Sequence, residues 1–203
     1  MGSEVQNAPH TICSGGLYME RGICICGLNG SGKTTLARAL AAALHSRHMD
    51  VEDYYFPASD GNGNPYAAAR TRNEVEEALL ADIRQTPRFV FSAVNGNMRA
   101  EINAAYALIV YLEVPAEIRL QRIRARAAER FGARILPGGD MHEQEEKFFA
   151  FAAGRRPDAI EAWLDTAPCR VIRLDGTKPI EENVAAILDV IAAPGADAPF
   201  AAR

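Results

Sequence analysis

Residues 27–34 constrain the fold of this chain more than any other stretch. They run Gly-Leu-Asn-Gly-Ser-Gly-Lys-Thr and match the pattern G-x-x-x-x-G-K-[ST]. A short apolar run at 22–26 precedes them, and a segment rich in Ala and Leu at 34–44 follows them. The sequence therefore predicts a buried strand, a glycine-rich loop and a helix in direct succession.

The spacing of this loop suits a phosphate group. Glycine at 27, 30 and 32 allows backbone angles and a close approach that a β-carbon would block. The loop N–H groups can then surround phosphate oxygens at a helix N-terminus. Lys33 is expected to reach the β- and γ-phosphates, and the Thr34 hydroxyl to bind Mg²⁺. The residues predicted to bind a nucleoside triphosphate here are Gly27, Leu28, Asn29, Gly30, Ser31, Gly32, Lys33, Thr34 and Thr35.

Composition narrows the choice of partners. The formal net charge is −4, so no global basic field favours nucleic acid or an anionic membrane. The four cysteines include no C-x-x-C pair, which argues against a zinc site or a disulfide framework. We expect neither a signal peptide nor a membrane span, because no signal-peptide pattern and no apolar run long enough to cross a bilayer is visible in the sequence. We expect a cytoplasmic protein that acts on small molecules, with a monomer as the default.

Five apolar strands separated by helices predict an α/β fold in three layers. Together with the phosphate-loop motif, this alternation resembles the P-loop NTPase fold, which implies a parallel sheet of order 2-3-1-4-5 with helices on both faces and a lid. The predicted strands lie at 22–26, 47–51, 89–94, 107–112 and 169–174. The predicted helices lie at 34–46, 71–85, 115–130, 141–151, 158–164 and 181–191. A flexible arm at 1–20, a single domain at 21–192 with a lid at about 131–141, and a disordered tail at 193–203 complete the predicted organisation.

Three acids follow the second strand, where ligands bind in such sheets. Asp50 and Glu52 are two apart and would point the same way on an extended chain, and Asp53 continues into the loop. An acid here can hold Mg²⁺ or accept the proton of a substrate hydroxyl. A solvated acidic loop is the alternative, and the pattern does not say which acid has which role.

Polar and aromatic residues near the second and third strands are candidates for an acceptor site. In the segment 95–99, which begins with Asn95, Gly96 would let the backbone approach a ligand, and Arg99 could clamp a carboxylate or phosphate of the acceptor; a polar turn is the alternative. Arg70 and Arg72 could join Arg99. The aromatic residues Tyr54, Tyr55, Phe56 and Tyr66 either wall a substrate pocket or form a satellite core.

A run of arginines occupies the predicted helix at 115–130 and the loop after it. Its members are Arg119, Arg122, Arg124, Arg126, Arg130 and Arg134. Arg122 and Arg126 share a face, which Arg119 and Arg130 continue. One role is to neutralise charge on a transferring phosphoryl group, and the alternative is a solvated basic face. The Gly- and Pro-bearing loop favours a moving lid, to which Arg155 and Arg156 could contribute.

The order of strands and helices predicted for residues 22–191 resembles that of the nucleoside monophosphate kinase-like group of P-loop kinases. The segment 50–52, Asp-Val-Glu, is similar to the D-x-D of shikimate kinases, and 52–55 is similar to the D-x-F-Y of uridine and nicotinamide riboside kinases. The segment 95–99 is similar to the D-G-F-P-R of adenylate kinases but lacks the Phe-Pro. The pair Arg122 and Arg126 resembles lid arginines, of which the first packs on adenine. The loop 175–179, with Gly176 and Lys178, resembles the one that cups the adenine.

This resemblance implies an ATP- and Mg²⁺-dependent kinase that transfers the γ-phosphoryl group to a nucleotide, a nucleoside or a hydroxylated metabolite. The implied catalytic residues are Lys33, Asp50, Glu52, Asp53, Arg122 and Arg126, with Thr34 and Asp50 at the metal. The implied nucleotide site adds Arg122, Gly176 and Lys178, and the acceptor site comprises Tyr54, Arg72, Asn95, Gly96, Arg99 and Arg134.

Two alternatives without a small-molecule acceptor stay open, namely an AAA-type ATPase and a nucleotide-binding regulatory protein. The third strand ends in Ala-Val-Asn at 93–95, which lacks the acid that AAA-type ATPases use. A GTP-dependent switch is disfavoured because the sequence has no N-K-x-D motif.

Overall fold

The computed structural model describes residues 21–57 and 69–193. The predicted arm at 1–20, the tail beyond residue 193 and Tyr66 lie outside the described residues. The boundaries predicted for the domain, its arm and its tail therefore stay predictions.

A five-stranded parallel sheet forms the centre of the fold. Its strands are β1 Gly22–Cys26, β2 Arg47–Asp50, β3 Phe89–Ala93, β4 Tyr106–Glu113 and β5 Arg170–Asp175. Every neighbouring pair is parallel and the order is β2-β3-β1-β4-β5, which confirms the predicted topology. Because all five strands run the same way, the segments that follow them meet at one edge of the sheet.

The described residues include eight α-helices and a short 3₁₀ helix at Gly132–Ile135. The helices are α1 Lys33–Ala43, α2 Val51–Tyr55, α3 Arg72–Gln85, α4 Ala100–Ala104, α5 Ala116–Phe131, α6 His142–Gly154, α7 Asp158–Leu164 and α8 Ile180–Ala192. Local signals explain several starts: Thr71 and Glu74 form a capping box at α3, and Pro115 and Pro179 precede α5 and α8. None of the described helices is both long and apolar enough to cross a membrane.

Alternate residues of β1 face the two sides of the sheet and separate two apolar cores. Cys24 and Cys26 pack with residues of α3, α4 and α7 on one side. Ile23 and Ile25 pack with residues of α1 and α8 on the other. The fold therefore has the predicted three layers. A third cluster, which includes Ile123 and Phe149, holds α6 against α5.

The chain turns into a helix directly after Asp50. The prediction that Asp50 and Glu52 point the same way from an extended strand is therefore wrong. Asp50 is the N-cap of α2, and its Oδ1 accepts a hydrogen bond of 3.1 Å from the Glu52 backbone N–H. This bond satisfies one of the amides that a helix start leaves without an intrahelical partner. Asp50 and Glu52 therefore do not project in the same direction from an extended strand.

We expect protonation of His48 to destabilise the fold. Its Nε2 lies 2.9 Å from the Ser92 Oγ. Burial lowers the pKa of His48 below its ordinary value of 6.5, and Arg38 also lowers it, while Asp50 and Asp53 oppose the shift. The folded pKa is below the unfolded one, so this contribution to stability is complete above about pH 6.5 and is lost as the pH falls through the folded pKa. The thermal midpoint of the wild type should therefore fall more between about pH 7.5 and about pH 5 than that of His48→Gln. Parallel pH curves would contradict this expectation.

Candidate functional site

The glycine-rich loop between β1 and α1 has a backbone that glycine makes possible. Gly30 and Gly32 have φ angles of +81° and +93°, in the left-handed region. A β-carbon at residue 30 would also collide with the backbone carbonyl oxygen of Arg119. The loop therefore keeps its shape and its contact with α5 because residue 30 has no side chain. Within it, Gly27 donates to the Val94 carbonyl at 3.2 Å, and Leu28 is buried in the core.

Hydrogen-bond donors collect where this loop enters α1. The first amides of any α-helix have no intrahelical partner. The N-cap of α1 is Gly32, which has no side chain to cap them. Ser31 is 1% exposed, and its hydroxyl has no hydrogen-bond partner among residues 21–57 and 69–193. Buried donors normally have partners. Their arrangement here suits the oxygens of a phosphate group, with Thr35 exposed on the first turn beyond them.

Lys33 is buried at the start of α1, and charges of both signs act on it. Burial lowers the pKa of Lys33, and the nearby carboxylates of Glu52 and Asp50 oppose this shift. Arg126 and Arg155 also lower its pKa, which places two further cations near its ammonium group. A cluster of cations at the mouth of a glycine-rich loop attracts a polyanion.

The two residues predicted to bind a metal ion lie together. The Thr34 Oγ1 donates a hydrogen bond of 3.0 Å to the Asp50 Oδ2, and Asp50 is buried. A hydroxyl and a carboxylate oxygen are the ligand types that Mg²⁺ prefers, usually together with substrate phosphates and water. The described part of the chain contains no cluster of three or more His, Cys, Asp or Glu suited to a metal. Thr34 and Asp50 therefore fit a cation that is shared with phosphate oxygens.

Two arginines of α5 bind the outer side of the loop. Arg119 donates hydrogen bonds of 3.2 Å to the carbonyls of Asn29 and Val114. Arg122 donates to the Ser31 carbonyl at 3.2 Å and to the Gly176 carbonyl at 3.0 Å. The guanidinium group of Arg122 thus joins the phosphate loop to the turn after β5.

The remaining residues of the arginine run occupy different surroundings. Arg126 and Arg130 face a cavity with Arg134, while Arg124 lies over the ring of Phe149 at 5.5 Å. The shared face predicted for the α5 arginines therefore points at the loop and the cavity.

The turn after β5 contains Lys178, which is exposed and whose backbone N–H donates to the carbonyl of Asp175.

Arg155 belongs to the same region, although the sequence pattern indicated it only as an addition to the lid. Its Nη1 donates a hydrogen bond of 3.1 Å to the Asn29 Oδ1, and its guanidinium lies 5.4 Å from the centre of the Phe151 ring. Burial lowers the pKa of Arg155. The residue ties the end of α6 to the tip of the phosphate loop.

A buried carboxylate that the sequence analysis missed holds two of the predicted acceptor residues. Glu76 is 5% exposed. Its Oε1 accepts hydrogen bonds from the Arg72 Nε at 2.9 Å and from the Arg99 backbone N–H at 3.1 Å. Its Oε2 lies 3.4 Å from the Arg99 Nε. Arg72 and Arg99 are thus oriented by one group, and their role in binding an acceptor stays a prediction.

Three other predicted acceptor residues make contacts within the protein. Asn95 donates to the Ala159 carbonyl at 3.2 Å. A β-carbon on Gly96 would meet the Cys24 Sγ and the Trp163 ring, so close packing requires this glycine. The Tyr54 hydroxyl donates to the Asp82 Oδ2 at 2.6 Å, and burial raises the pKa of Tyr54. These contacts favour the alternatives of a polar turn and a satellite core, and a role in binding stays a prediction.

A cavity of about 710 Å³ adjoins the phosphate loop. Its walls come from the loop, from α2 and the residue after it, from α5 and α6, and from the predicted lid. They include Asn29, Glu52, Phe56, Arg126, Arg134 and Phe148. Asp53, the neighbour of Glu52 on α2, is exposed and does not line the cavity.

The predicted lid at 131–141 is more ordered than the loop that its glycines and proline indicate. It contains the 3₁₀ helix Gly132–Ile135 and an ion pair of 2.6 Å between the Arg134 Nη2 and the Asp140 Oδ2. The Met141 backbone N–H also donates to the Arg134 carbonyl at 3.0 Å. These bonds fold the segment back on itself above the cavity.

Comparisons with known proteins assign the family. A family model described as AAA domain matches residues 23–146, which is more than half of the chain. YqaC of Bacillus subtilis (strain 168), itself described as uncharacterized, is 28% identical over 181 residues, which cover 85% of this chain and 98% of YqaC. The thymidylate kinase of Lacticaseibacillus casei (strain BL23) is 30% identical over 145 residues, which cover 62% of this chain and 63% of that enzyme. The chain thus spans less than two thirds of that kinase.

Solved structures agree on the fold. A sugar kinase from Janibacter sp. HTCC2649 aligns with a TM-score of 0.50 at 17% identity, over 87% of this chain and 97% of the other. A shikimate kinase from Acinetobacter baumannii, in complex with shikimate, aligns with a TM-score of 0.50 at 19% identity, over 84% of this chain and 92% of the other. The chain therefore belongs to the AAA domain family, and it is a P-loop protein with the fold of the nucleoside monophosphate kinase-like group.

Proposed function

We propose that this protein is an ATP-dependent kinase that transfers the γ-phosphoryl group to a small-molecule acceptor. One observation carries the proposal: the Thr34–Asp50 pair and the buried Lys33 lie at the end of the phosphate loop, and Glu52, whose charge acts on Lys33, lines a cavity that Asn29 of the same loop also lines. A donor site and a separate space for an acceptor therefore adjoin each other. Such transfer depends mainly on positioning and on charge stabilisation.

On the donor side, the loop amides and Lys33 would hold the phosphates, and Arg126 and Arg155 would add positive charge beside them. Arg122, which bonds Gly176, would face the base. Mg²⁺ held by Thr34 and Asp50 would supply neutralisation of the negative charge on the phosphates.

On the acceptor side, Glu52 is the group best placed to act as the general base. It lines the cavity, and its carboxylate charge raises the pKa of Lys33 against the effect of burial. In the proposed step an oxygen of the acceptor forms a bond to the γ-phosphorus. A hydroxyl acceptor gives its proton to Glu52 as this bond forms, whereas a phosphate acceptor reacts through an oxygen that is already anionic. The bond from the γ-phosphorus to the bridging oxygen breaks, and ADP leaves with that electron pair.

A pair of neighbouring variants tests which acid is the base. With a hydroxyl acceptor, Glu52→Gln should lower the turnover number by about 10²- to 10⁴-fold, since the amide cannot accept the proton. Asp53→Asn is the matched control and should stay within about threefold of the wild type, because Asp53 is exposed outside the cavity. Initial rates of acceptor phosphorylation measure both. The reverse ranking would assign the base to Asp53.

ATP consumption with Mg²⁺ tests the proposed function itself. The acceptor panel contains nucleoside monophosphates, nucleosides, shikimate, gluconate and hexoses. A rate that rises at least about tenfold with one acceptor class would support the kinase. A slow rate that no acceptor changes would contradict it and would favour an ATPase.

That second candidate is favoured by the family description, AAA domain. Against it, β3 ends at Ala93, and the residues that follow are Val94 and Asn95, so no carboxylate stands at the end of this strand. The nearby acid is Asp50 at the end of β2. An ATP hydrolysis rate per mole of protein that rises with protein concentration and needs no acceptor, as in an assembling ATPase, would separate this candidate from a kinase.

A further inference from the structure

The cavity beside the phosphate loop has aromatic walls. Phe56 follows α2, Phe131 ends α5, and Phe148 lies on α6; all three are half-buried and line the cavity. Ile123 and Met141 extend this apolar lining. Its volume of about 710 Å³ is in the range of pockets that enclose ligands of drug size. A flat ring gains from such walls, whereas the hydroxyls of a sugar would lose hydrogen bonds to water against them.

Among the residues that line the cavity, arginines outnumber carboxylates by one, before the Asp140 partner of Arg134 is counted. Three guanidinium groups, those of Arg126, Arg130 and Arg134, face two carboxylates, those of Glu52 and Glu145. The charge of Glu52 is offset further by Lys33, on whose pKa it acts. An occupant that carries an anionic group would therefore complement the cavity.

Arg134 has a partner that an anionic ligand could replace. Its side chain and that of Asp140 form an ion pair in which they are 57% and 64% exposed. Exposed pairs of this kind contribute little to stability. Exchanging the Asp140 carboxylate for an anion in the cavity would thus cost little, and the guanidinium fork suits a planar or tetrahedral oxyanion.

We propose that this cavity, with Phe56, Phe148 and Arg134 on its walls, binds the phosphoryl acceptor. The acceptor combines a flat apolar ring with an anionic group and is not a polyhydroxylated sugar. The inference rests on the proposed function, because the occupant of the cavity is an acceptor only if the protein is a kinase. It adds the chemical class of that acceptor, which the phosphate loop does not determine.

Binding of matched probes tests the class. Calorimetry in the presence of Mg²⁺ and the β,γ-imido analogue of ATP compares two ring-bearing anions, thymidine 5′-monophosphate and 4-hydroxybenzoate, with probes that lack one part. Thymidine and phenol lack the anion, and ribose 5-phosphate and shikimate lack the flat apolar ring. At least one ring-bearing anion should bind about tenfold or more tightly than both of its matched probes. Equal or tighter binding of shikimate or ribose 5-phosphate, or no such gain for either ring-bearing anion, would overturn the proposal.

Paired variants test the location. Arg134→Gln should weaken binding of the preferred probe about tenfold, while Arg156→Gln should not, although Arg156 also forms an exposed ion pair with an aspartate. Phe148→Leu should weaken it more than Phe151→Leu, because Phe151 lies on α6 outside the cavity. Equal effects within each pair would overturn the proposal, provided that circular dichroism shows all four variants folded.

Two further readouts separate this inference from the proposed function. A thermal shift with ATP and Mg²⁺ reports the donor site alone. If ATP stabilises the protein but no ring-bearing anion binds, the inference fails and the donor site stands. If ATP produces neither a shift nor transfer, the proposed function fails. If ATP competes directly with the ring probe, the cavity belongs to the donor and the inference is overturned.

Discussion

Replacing Lys33 by alanine is expected to reduce phosphoryl transfer by at least about 10²-fold, the typical effect of removing one preorganised group that stabilises developing charge. Lys33 is 8% exposed at the first position of α1, so solvent cannot readily replace its ammonium group. Its loss should change the thermal midpoint little, because the burial that disfavours its charge opposes the attraction of Glu52 and Asp50. The measurement is the initial rate of ATP consumption with an acceptor present, together with thermal unfolding.

Lys147 supplies the matched control. Its ammonium is 2.6 Å from Glu143 on the surface of α6, where both side chains are largely exposed. Lys147→Ala should therefore retain wild-type transfer. Undiminished transfer in Lys33→Ala, or an equal loss in both variants, would remove Lys33 from the assigned role and with it the proposed donor site.

Most of the fold is predictable from the sequence because apolar runs and turn signals alternate regularly along the chain. The bounds of β1 and α7 coincide with the predicted ones, and the resemblance to P-loop kinases implied the strand order that the structure confirms. The two helices that the sequence analysis missed, α2 and α4, have five residues each. Five residues complete fewer than two periods of about 3.6 residues, which is too few for an apolar pattern to repeat.

The candidate site also has a part that the sequence predicts and a part that it does not. The phosphate loop is contiguous, so its spacing alone identifies it. Arg155 and Asn29 are 126 positions apart, and Glu76 and Arg99 are 23 apart. No local pattern indicates such pairs, because the crossovers of the sheet alone bring them together. A charged residue on a predicted helix is normally expected to be exposed, and only the structure shows that Glu76 is buried.

Gly96 has a packing reason that the sequence pattern does not reveal, and its role in binding a ligand stays a prediction. The sequence pattern predicts that glycine there admits a ligand to the backbone, with a polar turn as the alternative. In the structure, Cys24 and Trp163 occupy the space that a β-carbon would need. Glycine signals a close approach, and the sequence does not tell whether a ligand or the protein itself makes it.

Asp50 combines a structural contact with a predicted metal contact, and substitution can separate the two. Its Oδ1 caps α2 by accepting the Glu52 N–H at 3.1 Å, while its Oδ2 accepts the Thr34 hydroxyl at 3.0 Å. Asparagine keeps an acceptor oxygen for the cap but removes the charge that attracts a cation. Alanine removes both.

We therefore expect Asp50→Asn to lower transfer by at least about 10²-fold at a fixed Mg²⁺ concentration, with a thermal midpoint near that of the wild type. Asp50→Ala should lose as much transfer and also about 1 kcal/mol of stability through the missing cap. Rates measured across a Mg²⁺ titration, beside thermal unfolding, distinguish the two roles. Because a weakened cation site fills at higher metal concentration, added Mg²⁺ should partly restore Asp50→Asn. An Asp50→Asn protein with the wild-type rate and the wild-type Mg²⁺ dependence would show that Asp50 serves only as a helix cap and a partner of Thr34, and it would remove the metal role from this pair.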